Sequence, residues 1–252
     1  MKFNGLKNTF VFFALFCSSS VVFADINIYG PGGPAPAIKA AAETFSRTSG
    51  VKVTVVSGPA EKWKDKAKVD ADLIYSGSEA MMTDFESVFR EQIIPGSVLP
   101  LYLRPAVILV RKGNPLKING IKDLTKKSVR ILVTHGAGQT GMWEDISGRA
   151  GDIETVKGIR DNIKLFASNT GMAKQAWMQN PDFDAWIVFN TWGNSDTRTG
   201  DIVDFEPEYR IYRDMGIAFT HAGKKKPEVE KFVDFLKSAK GEEIFRSMGW
   251  SK

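Results

Sequence analysis

The sequence predicts an α/β protein of two lobes, each a mainly parallel sheet flanked by helices, with two hinge crossings between them. Three observations carry that expectation. Short β-branched and apolar runs alternate with helical patterns along most of the chain. Many of those runs end in Gly, Pro, Ser or Thr clusters that lead directly into a helix. One long extended stretch, Leu99 to Val110, interrupts the alternation, which then begins again.

At the start of the chain, Lys2 and Lys7 precede the apolar run Phe10 to Phe16, and Val22, Phe23 and Ala24 suit cleavage before Asp25. This order reads as a secretory signal peptide over residues 1–24, and the apolar run is shorter than the roughly 20 residues that span a bilayer. Cys17 has Phe16 before it where a lipidated cysteine would follow a small residue, so the mature chain is expected to lack cysteine and to rely on an ordinary core. The 252-residue chain carries 34 basic and 29 acidic residues, and losing the two leader lysines leaves about +3, too mild and dispersed for a nucleic-acid surface.

Ile26 to Tyr29 is a strand, and Tyr29 to Pro36 turns it into a helix that Ser49 and Gly50 end. Val51 to Val56 alternates as a strand, Glu61 to Lys68 reads as a helix, and Ala71 to Tyr75 is the next strand. Asp72, at that strand's beginning, reads as structural. Pro105 fixes an extended backbone at Arg104 and removes a ladder donor, so the chain is expected to change partners there and cross between lobes. Arg104 is then either a solvated edge residue or a cation facing the cleft.

Val129 to Val133 is a strand leading into Gly136, Gly138 and Gly141, which match G-x-G-x-x-G. A dinucleotide site would need an acidic residue ending the next strand, Ile163 to Phe166, and that strand ends in Ala167 and Ser168. Thr170 reads as the N-cap of a helix through Met178. Asp184 to Val188 is a buried strand ending near Asn190, with Trp186 in the core. Ile202 to Phe205 and Tyr209 to Tyr212 carry the chain back, and Ile217 to Phe219 is a further strand. Two helices close the sequence, with apolar faces read as packing. The resulting division is residues 25–104 and 213–252 for one lobe and 105–212 for the other.

In an open parallel sheet, loops at the carboxyl ends of strands line the ligand cleft, and helix starts there offer free N–H groups. The candidate binding residues are therefore Gly32, Gly33, Ser57 and Ser78 from the first half, Gly138, Thr140, Gly141, Thr170, Gly171 and Asn190 from the second, and Arg104 between them. A plain tight turn is the alternative for each corner. With His135 and His221 the only histidines, and neither H-E-x-x-H nor G-x-S-x-G present, no catalytic residue, metal or cofactor is assigned.

The segments Asp25 to Ile38, Leu101 to Leu116 and Phe235 to Trp250 resemble the accessory colonization factor AcfC proteins, within the periplasmic substrate-binding proteins that include sulfate and molybdate binders. The resemblance spans nearly the whole mature chain. It implies a type II two-lobed periplasmic binding protein, not an enzyme, that closes on a small oxyanion or a phosphorylated or carboxylated metabolite. Its partners would be that ligand and an ABC-type permease, and its state a monomer or homodimer. A colonisation factor or adhesin at the cell surface is the second function class: a binding module saturates with a small molecule, whereas an adhesin binds host surface whatever its cleft holds.

Overall fold

The computed structural model describes residues 1, 25–136, 138–195, 198 and 200–252. The expected signal peptide and its cleavage before Asp25 lie outside the described residues. Strand β1 (Ile26–Gly30) leads through Pro34 into helix α1 (Ala35–Ser49), where proline in the first turn costs no hydrogen bond. The helix stops at Gly50, whose φ of 74° lets its N–H return to Ser46. Strand β2 (Val53–Ser57) pairs parallel with β1, from Ile26 opposite Val53 to Gly30 opposite Ser57. A 3-10 turn (Ala60–Lys62) and α2 (Lys64–Asp70) replace the single helix expected from Glu61, because Trp63 breaks the run to bury its ring. Strand β3 (Leu73–Tyr75) then pairs parallel with β1 on its other side, and α3 (Glu79–Val88) begins at Ser78, whose hydroxyl accepts from the Met81 N–H.

The long strand β4 (Leu99–Val110) joins the two halves. A 3-10 turn (Ile121–Thr125) leads to β5 (Ile131–Thr134), α4 (Met142–Gly148), α5 (Ile153–Asn162) and β6 (Ile163–Ala167). Helix α5 is not among the elements the sequence predicts; Asp152 caps it by accepting from Thr155 N–H. Then follow α6 (Thr170–Gln179), β7 (Ala185–Phe189), α7 (Asn190–Ser195), β8 (Asp201–Asp204), β9 (Tyr212–Phe219), α8 (Pro227–Lys237) and α9 (Ala239–Ser247). The return of the chain over Tyr209 to Tyr212 runs from a turn at Tyr209 into the start of β9.

The strands run in the order β2-β1-β3-β9-β4-β7-β5-β6, with β8 also on β4. The sheet is more mixed than the mainly parallel one expected. The outer pairs β1 with β2 and β3, and β5 with β6 and β7, are parallel; every pair involving β4 or β9 is antiparallel. Strand β4 is a single segment that runs through both halves, whereas β9 brings the chain back into the first half between β3 and β4. At Pro105 the partner of β4 changes: Leu99 to Pro105 pair with β9, and from Ala106 onward the strand pairs with β7 and β8.

Both faces of each half are covered, which explains why the strands read as continuous apolar runs. In β4, Ala106, Ile108 and Val110 pack with Ile131, Ile187 and Phe189 on one face, whereas Val107 and Leu109 pack with Trp177, Trp186 and Val188 on the other. In the first half, Ile26 and Ile28 face α1, α8 and α9 through Ile38, Phe232 and Phe245, while Tyr29 turns to Trp63, Met82 and Phe89. Asp72 is structural as expected: it is 1% exposed, accepts from Asn27 N–H at 2.9 Å and pairs with Lys226 at 2.9 Å.

Candidate functional site in the cleft around Arg104

Arg104 is 1% exposed and lies where β4 changes partners. Its guanidinium carbon sits 3.8 Å from the Phe189 ring centroid and 4.7 Å from that of Trp250, so aromatic faces from both halves hold it. One Nη2 hydrogen bond goes to the Gly77 carbonyl at 3.0 Å; Nε and Nη1 are buried with no partner. The solvated-edge reading of Arg104 is thereby excluded. Burial pulls its pKa down to about 9, opposed by the nearby Asp214 charge, so it remains a cation at neutral pH.

Two close approaches explain the glycine-rich corners. A Cβ on Gly33 would stand 2.8 Å from Arg104 Nη1, and one on Gly77 would stand 2.9 Å from Nη2. Only glycine lets both backbones reach the guanidinium. Across the cleft, Gly138 has a φ of 79°, and a Cβ there would lie 3.0 Å from both the Gly77 carbonyl and Ser78 Oγ, so the loop after β5 meets the corner after β3.

The structure therefore brings Gly33, Ser78, Arg104 and Gly138 together. Asn190 joins them from the start of α7: its Nδ2 donates to the Gly249 carbonyl at 2.7 Å, beside the Trp250 that covers Arg104, and its Oδ1 is buried and unpartnered. Thr170 is buried, but Asn169, not Thr170, is the N-cap of α6, accepting from Met172 N–H at 2.9 Å. An extended backbone at Asn169 puts its carboxamide over the helix end, which frees the Thr170 hydroxyl to accept from Gln139 Nε2 at 2.8 Å. Other candidates stand apart from this group. Gly32 is exposed with open space around it, Thr140 and Gly171 are exposed, and Gly141 starts α4 in a left-handed conformation. Ser57, half-buried at the end of β2, has its hydroxyl against the Tyr75 phenol.

Sequence reasoning missed several inward polar groups. Ser76, Thr134, Gln139, Thr191 and Asp214 each carry a buried oxygen with no partner. Ser76 and Gln139 lie inside corners already recognised, and Thr134 ends a recognised strand, so strand-end position was the available signal. In the loop after β5 the inward residue is Gln139, 1% exposed, rather than Thr140. Asp214 carries no comparable signal, since it sits within crossing strand β9. Desolvation raises its carboxyl above the ordinary range, against the lowering effect of its own N–H, the Glu79 N–H, Arg104 and Arg213.

Beside this polar centre a pocket of about 370 Å³ opens between the halves, lined by Pro31, Pro59, Glu61, Met81, Phe85 and Ser168. No group of three or more His, Cys, Asp or Glu side chains placed to hold a metal occurs among the described residues. His135 is exposed on its loop, and no helix among the described residues is long and apolar enough to cross a membrane.

Known proteins share this architecture. The structure of PEB3 with L-phospholactate bound is 40% identical, covers 90% of this chain and 100% of that one, and has a TM-score of 0.86. The structure of Peb3 from Campylobacter jejuni has the same identity and coverage, with a TM-score of 0.84. The major ferric iron-binding protein of Neisseria meningitidis is 22% identical over 91% of this chain and 80% of its own. Residues 26–251 match the model of the bacterial extracellular solute-binding proteins, and the chain belongs to that family.

Proposed function

We propose that this protein is a periplasmic binding protein, rather than an enzyme, that captures a small anion between its two lobes for delivery to an ABC-type permease. The observation that carries the reading is the Arg104 guanidinium, fully buried with two donors unpartnered. Burying a cation without partners is costly, and an anion placed against Nε and Nη1 removes that cost. Ser78, Gly138, Thr170 and Asn190 supply the remaining contacts as the lobes approach. A negatively charged metabolite also accords with the phospholactate in PEB3. The reading also takes the chain as a member of the AcfC group within the family, on the segments Asp25 to Ile38, Leu101 to Leu116 and Phe235 to Trp250 that resemble it, and as an exported protein whose mature form starts at Asp25.

Titration calorimetry with L-phospholactate, inorganic phosphate and sulfate tests the reading. At least one anion is expected to bind, and Arg104→Ala is expected to weaken it tenfold or more, because a charge-assisted hydrogen bond is worth about 1.5–3 kcal/mol. Unchanged affinity in a folded Arg104→Ala variant removes Arg104 from the site.

A further inference from the structure

A second pocket, of about 240 Å³, adjoins the Arg104 centre between Gly33, Pro36 and Ala37 at the start of α1, Thr191 and Asn194 on α7, and Trp250. Two of its walls are also neighbours of Arg104. A Cβ on Gly33 would stand 2.8 Å from Nη1, and the Trp250 ring centroid is 4.7 Å from the guanidinium carbon. A ligand group held at Nη1 therefore has this pocket beside it. None of the pocket's lining residues is charged, whereas the larger pocket of about 370 Å³ carries Glu61 in its wall.

The smaller pocket offers donors that the chain leaves unused. Helix α1 begins there with neither a side-chain cap nor an acidic residue in its first turn, so its positive end meets no carboxylate of its own. On the α7 wall, Thr191 is 8% exposed and its Oγ1 is buried without a partner. A buried hydroxyl left unpaired is costly, and an acceptor oxygen in the pocket relieves that cost. Glu61 gives the larger pocket the opposite preference, since a carboxylate repels an anion placed beside it.

We propose that Thr191 is a ligand-contacting residue, and that the part of the ligand beyond Arg104 lies in this smaller pocket rather than beside Glu61. The ligand is then an organic anion with two separated oxygen-bearing groups, one at Nη1 and the other accepting from Thr191 near the start of α1. Pro36, Met248 and Trp250 supply apolar surface for the carbons between them. A single inorganic oxyanion fills only the Arg104 end. This rests on the anion-binding reading above. Because the walls come from α1 and the C-terminal tail on one side and from α7 on the other, such a ligand is held by both halves.

The test is titration calorimetry at pH 7 on the full mature chain, comparing L-phospholactate, which carries a phosphate and a carboxylate, with inorganic phosphate, which carries one group. Wild type is expected to bind L-phospholactate at least tenfold more tightly; equal affinities overturn the proposal. Thr191→Val, which keeps the shape and removes the hydroxyl, is expected to weaken L-phospholactate fivefold or more, and Thr191→Ser to restore it, with thermal melts confirming the fold. A folded Thr191→Val variant with wild-type affinity, while Arg104→Ala still weakens binding, overturns the proposal and leaves the anion reading intact. A change in affinity on Glu61→Gln in place of Thr191→Val overturns it too, because the ligand then lies in the larger pocket. Should Thr191→Val not fold, the exposed Ser247 at the pocket's edge decides. Ser247→Lys is expected to raise L-phospholactate affinity threefold or more, and no change overturns the proposal. Binding of neither probe overturns this proposal, and if sulfate also fails to bind, the anion reading falls with it.

Discussion

Arg104 shows how one side chain can be both well packed and chemically incomplete. Its plane is held between Phe189 and Trp250, while two donors wait without partners. Arg104→Lys keeps the charge but loses the planar fork and the stacking, so calorimetry is expected to show about tenfold weaker anion binding with the fold retained. At the other end of β3 the buried pair Asp72 and Lys226 has the opposite character, being fully satisfied and remote from the cleft. Lys226→Met leaves Asp72, 1% exposed, without its cation. Urea unfolding is expected to show a loss of about 2 kcal/mol, below the usual cost of breaking a buried pair because Lys226 is itself partly exposed, with ligand affinity unchanged. The raised Asp214 carboxyl makes a pH prediction. The folded chain holds that proton more tightly than the unfolded one. Its contribution to stability is therefore full below the ordinary carboxylate pKa and is lost as pH rises through the folded value. Ligand-free Asp214→Asn should melt above wild type at neutral pH, and the difference should vanish in acid.

At the scale of single elements, the caps divide labour in a way that mutation can separate. Asn169 closes the start of α6, while Thr170 is turned to Gln139 and the cleft. Asn169→Ala is expected to cost about 1 kcal/mol of stability, measured by chemical denaturation. Thr170→Ala should leave α6 capped and instead weaken anion binding by releasing Gln139. Equal destabilisation by both would mean that Thr170 shares the capping role. The loop after β5 depends on Gly138 in a similar way, since its φ of 79° and its contact with Gly77 and Ser78 both exclude a side chain. Among the residues of this loop the sequence pointed to a hydroxyl, that of Thr140. Backbone twist within the turn decided otherwise, placing Gln139 inside and Thr140 in solvent.

Across the whole molecule, two halves with separate cores are joined by β4, by the return of the chain into β9 and by the C-terminal tail around Gly249 and Trp250. Thin connections of that kind turn with little disturbance to either core, and a ligand that favours the closed arrangement drives the motion. Small-angle scattering is expected to show a smaller radius of gyration at saturating anion. The bond from Asn190 to the Gly249 carbonyl ties the second half to the tail of the first, so Asn190→Ala should weaken binding and blunt that compaction. Identical profiles with and without bound anion would mean that the cleft is preformed.

The local text of the chain was enough to determine the α/β class, the alternation of strands and helices, the crossing at Pro105 and the presence of Arg104 within it. Those features follow from side-chain periodicity and from what proline and glycine do to their own backbones, which are properties of neighbours in sequence. Tertiary structure alone decided that β4 and β9 make the sheet mixed, that Trp250 from the far terminus covers Arg104, and that Asn190 reaches the Gly249 carbonyl. These arrangements join residues far apart in the chain, where no local pattern records which groups will be desolvated together. The buried, unpartnered oxygens around Arg104 became visible only once packing had removed water from them.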